Sequence, residues 1–182
     1  SLAKAAVDES AIVTLISGPV TLETPERVKR IDIESAEEMK EHVTANLSDI
    51  DLFISTAAVA DFKMKNAESQ KIKKDQSKNM SLSLEKNEDI LKHVSDNNPD
   101  LKIVGFAAET ENMIDNARKK LSSKNLNLIV ANDVSDSSIG FDSNNNEVTL
   151  ITEKEELKIP KTSKEKVARK IVQFISKNIL ND

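Results

Sequence analysis

The spacing of apolar residues along this chain changes period several times, and each change marks an element. Residues 11–16, AIVTLI, form a near-continuous apolar run with β-branched members, the pattern of a strand buried on both faces of a parallel sheet. Gly18 and Pro19 end it, and Thr24-Pro25 keeps the chain in a loop. Residues 28–33 alternate as a second strand. Ser35 is placed to cap a helix running to about Asn46, with Glu37, Glu38 and Glu41 in its turns and Ala36, Met39 and Val43 facing inward. A third strand covers 52–55, and 81–84 alternate as a short one. Later runs predict a helix over 88–97, a strand over 101–107, a helix over 112–123 and a strand over 126–131. Residues 147–152 and 155–159 pair as a hairpin across Glu153-Lys154. Thr162 then caps a last helix with Val167, Ile171, Phe174 and Ile175 inward, and a first helix precedes residue 8.

Strands alternating with helices and closing on a hairpin predict an α/β fold: a Rossmann-like, doubly wound, mostly parallel sheet with a C-terminal β-hairpin. Ligands of such sheets sit beyond the carboxyl ends of the strands. Three stretches converge there: Thr56 to Asp61 after one strand, Gly105-Phe106-Ala107-Ala108-Glu109-Thr110 closing the next, and Asn132-Asp133 after a third. The small residues Ala57 and Ala58 let a flat ligand approach the backbone, and Asp61 can accept a hydroxyl proton. Lys71, Lys73 and Lys74 follow in a polar segment that can fold over phosphates as point charges. The same residues also fit a tight strand-to-loop packing site followed by a solvated charge run.

Composition narrows this further. A chain of 182 residues fits one domain, and its net charge of −5 gives no overall basic character for nucleic-acid binding. Without cysteine there is neither a disulfide framework nor a thiolate metal site. His42 and His93 fall in helical patterns and read as ordinary helical residues rather than metal ligands. No apolar run reaches the length of a membrane span, and a cytoplasmic protein is expected. Three glycines, Gly18, Gly105 and Gly140, cannot supply the Gly-x-Gly-x-x-Gly turn of a dinucleotide dehydrogenase.

Longer motifs carry a resemblance. SGPV (17–20), VKRIDI (28–33), AAVADF (57–62), KIKK (71–74), VGFAAET (104–110), KNLNLIVANDVS (124–135) and GFDSNNNEVTLI (140–151) stand in order along the chain. Together they resemble phosphopantothenoylcysteine synthetase, the phosphopantothenate–cysteine ligase of coenzyme A biosynthesis. The resemblance implies CTP-dependent ligation of 4′-phosphopantothenate with cysteine through an acyl-cytidylate, with Mg²⁺ on the triphosphate. It implies Lys71 as the catalytic lysine of a flap, residues 63–78, that is mobile until nucleotide binds. It also implies nucleotide contacts from Asp61, Lys71, Glu88, Asp89, Ile90, Leu91, Phe106, Lys120 and Lys124, and substrate contacts from Ala57 and Ala58. A homodimer joined through the loop after Ala131 and the terminal hairpin is expected, as is a flavin-dependent decarboxylase domain fused upstream. The family turn usually begins Asn-Pro-Asp; here Asn87 is followed by Glu88 in place of proline.

In the family a strand and a loop bearing an asparagine and an arginine come before the residue matching Ser1. The resemblance therefore implies one ligase domain over 1–182 lacking that strand, which would lie in the middle of the sheet, and no competent ligase without it. Two other classes stay open on residue types alone. One is a nicotinamide-dependent reductase on a similar architecture, separated from the ligase by hydride transfer in place of pyrophosphate release. The other is a non-catalytic α/β interaction domain, recognised by failure to bind CTP with magnesium.

Overall fold

The computed structural model describes residues 1–66, 81–134 and 143–181. Its core is a five-stranded sheet in the order β3, β6, β7, β8, β9: Leu52–Ser55, Lys102–Glu109, Leu128–Asp133, Asn145–Ile151 and Glu156–Ser163. The β3–β6 and β6–β7 pairs are parallel, and the β7–β8 and β8–β9 pairs antiparallel. Ile129, Val130 and Ala131 in β7 are buried in sequence, because helices cover both faces of this part of the sheet.

Alternation along β6 sorts the two faces. Ile103 and Ala107 join a cluster with Ile90 and Val94 of α3 (Ile90–Asn97) and Ala117 and Leu121 of α4 (Met113–Ser123). Val104 joins a second cluster under α5 (Lys164–Asn178), with Val167, Ile171, Phe174 and Ile175. Gly105 lies on the first face and has no room for a side chain. A Cβ there would meet Leu126 Cδ1 at 2.8 Å and Leu91 Cδ2 at 3.2 Å.

Caps fix where the helices begin. Ser35 is extended, and its hydroxyl accepts from the Glu38 amide at 3.1 Å at the head of α2 (Ala36–Ala45). The Glu38 carboxylate in turn accepts from the Glu34 amide at 2.7 Å. Such a cap contributes about 1 kcal/mol. Asp89 caps α3 by accepting from the Lys92 amide at 3.0 Å. At α5 the cap is Ser163 rather than Thr162, which is still paired in β9 opposite Asn146. The hairpin strands are longer than their apolar alternation indicated. Thr152 turns the chain between them, its hydroxyl accepting from the amides of Lys154 and Glu155. Pro160 is tolerated in β9 because this strand is the edge of the sheet.

Three expectations are corrected. The first strand, β1 (Val13–Ser17), starts later than the apolar run and is not buried on both faces. Among the described residues it pairs only with β2 (Val28–Asp32), in parallel, as a two-stranded sheet of its own, and Ile12 is fully exposed. The predicted strand at 81–84 shifts to β5 (Leu84–Lys86), which pairs antiparallel with an unanticipated β4 (Phe62–Met64). Residues 63 and 64, read from sequence as the start of a flap without regular structure, are therefore strand. The third correction concerns the hairpin. Its apolar residues Val148, Leu150 and Ile159 are covered by α5 within the chain, so that face does not call for a partner subunit. Leu157, paired with Leu150 across the hairpin, stays exposed. Helix α1 (Leu2–Asp8) packs Ala5 against Ala168 and Val172 of α5.

Candidate functional site

The carboxyl ends of β3, β6 and β7 lie side by side in the sheet, and the predicted residues gather beyond them. Residues 56–60 leave β3 without regular secondary structure, with Ala57 and Ala58 exposed. Asn87 holds this loop from the other side. Its amide donates to Asp61 O and its Nδ2 to Ala60 O, both at 2.8 Å. The backbone on both sides of Asp61 is thus fixed, while its carboxylate stays in solvent. The β4–β5 ribbon grows out of this clamp, and Lys65 N donates to Ser83 O beyond its end.

Residues 88 and 89 connect the clamp to three helices. Glu88 accepts from Lys40 Nζ of α2 and, at 2.8 Å, faces His93 Nδ1 of α3. The Lys40 hydrogen bond holds the Glu88 carboxyl below its usual range, and His93 adds to this. His93 is therefore not a solitary helical residue but a partner of Glu88. Asp89 Oδ2 lies 2.7 Å from Lys124 Nζ, at the end of α4. Partial burial pushes the Asp89 carboxyl up, but the hydrogen bonds from Lys124 and the Lys92 amide outweigh it. With the charges of Lys124 and Lys86 they hold the group below its ordinary value. Ile90 and Leu91 point into the first cluster with their side chains, leaving only backbone for a ligand.

Lys120 lies one turn before Lys124 on α4. Its ammonium is 2.6 Å from Glu109 Oε1, at the last residue of β6. Neither lysine is a plain exposed charge, since each is tied to an acid on another element. Phe106 is placed apart from this group. Its side chain packs on the α5 cluster, across the sheet from the α3 and α4 residues, so only its backbone shares their side. Lys71, with Lys73 and Lys74, lies outside the described residues, as does Gly140. Sequence reasoning missed the clamp by Asn87 and the role of Glu109, whose other oxygen accepts from Asn116 Nδ2 at 3.1 Å. An acid ending an apolar strand and an asparagine inside a helix were the available signals. Among the described residues no three carboxylates or histidines converge as a metal site.

Comparison with known proteins places this arrangement in a family. The model for the C-terminal domain of DNA/pantothenate metabolism flavoproteins matches residues 1–179. The chain belongs to that family. It is 45% identical over 179 residues to the coenzyme A biosynthesis bifunctional protein CoaBC of Vibrio vulnificus, covering 96% of this chain and 44% of that protein. The CoaBC protein of Escherichia coli is 41% identical over 180 residues, with the same two coverages. The chain thus spans less than half the length of these curated relatives. Among solved structures, the C-terminal domain of a CoaBC protein superposes with a TM-score of 0.82 at 35% identity, covering 100% of this chain and 81% of that one. A flavoprotein of the same description from Streptococcus pneumoniae, at 19% identity and a TM-score of 0.79, shares the fold.

Proposed function

We propose that this domain serves coenzyme A biosynthesis as a CTP-dependent phosphopantothenate–cysteine ligase. The observation that carries the reading is the joining of three segments at one end of the sheet. Asn87 fastens the loop after β3, while Asp89 and Glu109 draw Lys124 and Lys120 of α4 beside it. Backbone groups and fixed ammonium groups at the ends of parallel strands suit a nucleotide triphosphate. The names of the relatives supply the pathway.

In the reaction a carboxylate oxygen of 4′-phosphopantothenate attacks the α-phosphorus of CTP, and pyrophosphate leaves. The cysteine amine then attacks the acyl carbon. CMP leaves with the electrons of the acyl–oxygen bond, and the amine loses one proton to form the amide. No bond to the protein is required. The domain's task is to align the reactants and to offset charge where a carboxylate meets a triphosphate. Lys120 and Lys124 are read as phosphate contacts, backbone of residues 57–61, 88–91 and 106 as contacts to the nucleotide and acyl substrate, and Lys71 as the group nearest the chemistry. Magnesium would arrive bound to the triphosphate and offset part of its charge there.

Among the described residues the five-stranded sheet ends on β3, and β1 belongs to a separate sheet with β2. This split supports the reading that one further strand, from outside these 182 residues, completes the sheet. The homodimer and an upstream decarboxylase domain belong to the same proposal. The test is release of pyrophosphate and CMP by the intact protein with CTP, magnesium, 4′-phosphopantothenate and cysteine. One pyrophosphate per amide formed is the expected result. Hydride transfer from a nicotinamide cofactor, or no binding of CTP at all, would sink it.

A further inference from the structure

The last residue of β6 is an acid, and its side chain keeps only 13% of its surface. Both oxygens of Glu109 are engaged by α4. Lys120 Nζ donates to Oε1 at 2.6 Å and Asn116 Nδ2 to Oε2 at 3.1 Å. Donors four residues apart share one face of a helix, so this face of α4 is turned to the end of the strand. Asn116 Nδ2 also donates to Glu111 O at 3.1 Å, and Glu109 O accepts from Val134 N at 3.0 Å. The residue therefore ties β6, α4 and the exit of β7 together where ligands of such sheets dock.

A carboxylate covered to this degree is costly unless it is paired and hydrogen-bonded. Here both conditions hold, but an apolar residue would cover the strand end at lower cost. What the acid adds is a fixed ammonium. Lysine carries three donors, and its long stem otherwise samples many rotamers. Glu109 takes one donor, and the Lys120 side chain remains 46% exposed. The cation is held in place while its remaining donors face outward.

We propose that Glu109 is a positioning residue for the nucleotide: it fixes the Lys120 ammonium so that an incoming phosphate meets a cation already ordered. This deepens the ligase reading and rests on Lys120 contacting phosphate. The alternative electrostatic effect runs the other way, since a nearby carboxylate repels a triphosphate. The two effects predict opposite signs.

In the intact protein, Glu109→Gln removes the charge and keeps an acceptor. The KM for CTP rises about fivefold, the range of one exposed ion pair. Turnover and the KM for cysteine stay within about twofold, as expected for lost uniform binding. With Lys120→Met already present, Glu109→Gln adds nothing further to the KM for CTP, because the group being positioned is gone. Glu109→Asp recovers part of the loss, and it carries the same comparison if Glu109→Gln does not fold. Tighter CTP binding in Glu109→Gln overturns the proposal, as does a loss that simply adds to that of Lys120→Met. CTP binding by the wild type that Glu109→Gln leaves unchanged, measured by calorimetry, overturns this inference alone. No CTP binding by the wild type removes the ligase reading and this inference with it.

Discussion

The two ends of the sheet are built differently. Toward the β9 end, β8 and the central strand β7 lie under α5, and Leu128, Val130, Leu150 and Ile171 are almost wholly buried. At the other, β1–β2 and β4–β5 stand outside the five-stranded sheet, and Ile12, Leu22, Phe62, Met64, Leu82 and Leu84 are exposed. The first end is closed by its own chain. The second is held by single polar ties such as those of Asn87. Stability therefore concentrates under α5, while the residues read as the site lie at the loosely joined end, as is common for ligand-binding segments.

Substitutions at the two ends should separate most in stability. Ile171→Ala removes a side chain fully buried between α5 and the sheet, and it should cost about 2–5 kcal/mol. Phe62→Ala trims a larger but exposed ring and should cost under about 0.5 kcal/mol. Urea midpoints of the two variants check this. Equal losses would mean that the ribbon is covered in solution and that the two ends are not different.

Activity should show the reverse pattern. Lys71→Gln should leave the unfolding midpoint unchanged and slow pyrophosphate release about a hundredfold, as for removal of one donor to developing charge. Wild-type turnover in this variant would remove Lys71 from the chemistry. Gly105→Ala lies between the two ends and should cost about 1–3 kcal/mol by overpacking against Leu126 and Leu91. Trimming Leu126 to alanine in the same chain should remove most of the penalty that the added methyl causes. A penalty that persists would place the strain in the backbone rather than in that contact.

What could be read from sequence follows the same division. Where residues are buried in an unbroken layer, periodicity alone located β6, β7, α3, α4 and the hairpin to within a few residues. It failed at β1, where the apolar run of residues 11–16 suggested a strand buried on both faces, and among the described residues β2 is its one paired strand. It missed β4, because three residues carry too short a pattern to register. The candidate site was legible as positions rather than as contacts. Asp61, Asp89, Lys120 and Lys124 could be named from motifs, but the acid each lysine grips lies on another element. Pairing across elements has no spacing signature in one sequence. The hairpin shows the opposite failure. The alternation of Val148, Leu150, Leu157 and Ile159 marks an apolar face, but alternation does not tell whether a helix or another subunit covers it.

The smallest expected effect tests the polar ties directly, through acid. Asp89 both caps α3 and pairs with Lys124, and Glu88 beside it pairs with Lys40 and His93. Both carboxyls are held below their ordinary values, which are 3.8 and 4.5 for the two residue types. A group whose value is lowered on folding adds stability while it is ionised in both states. That contribution is full above the unfolded value and is lost as pH falls through the folded one. The ties should thus hold at neutral pH and weaken from about pH 4.5 downward. Asp89→Asn keeps a good N-cap side chain and deletes the charge. It should lower stability at pH 7 by under about 1 kcal/mol, the ceiling for a partly exposed pair. As pH falls through the lowered folded value, the variant and the wild type should converge, because the native carboxyl is then protonating too. Urea denaturation at a series of pH values measures the gap. A difference that stays constant from pH 7 into acid would show that Asp89 acts through its cap alone and that the Lys124 pair contributes nothing.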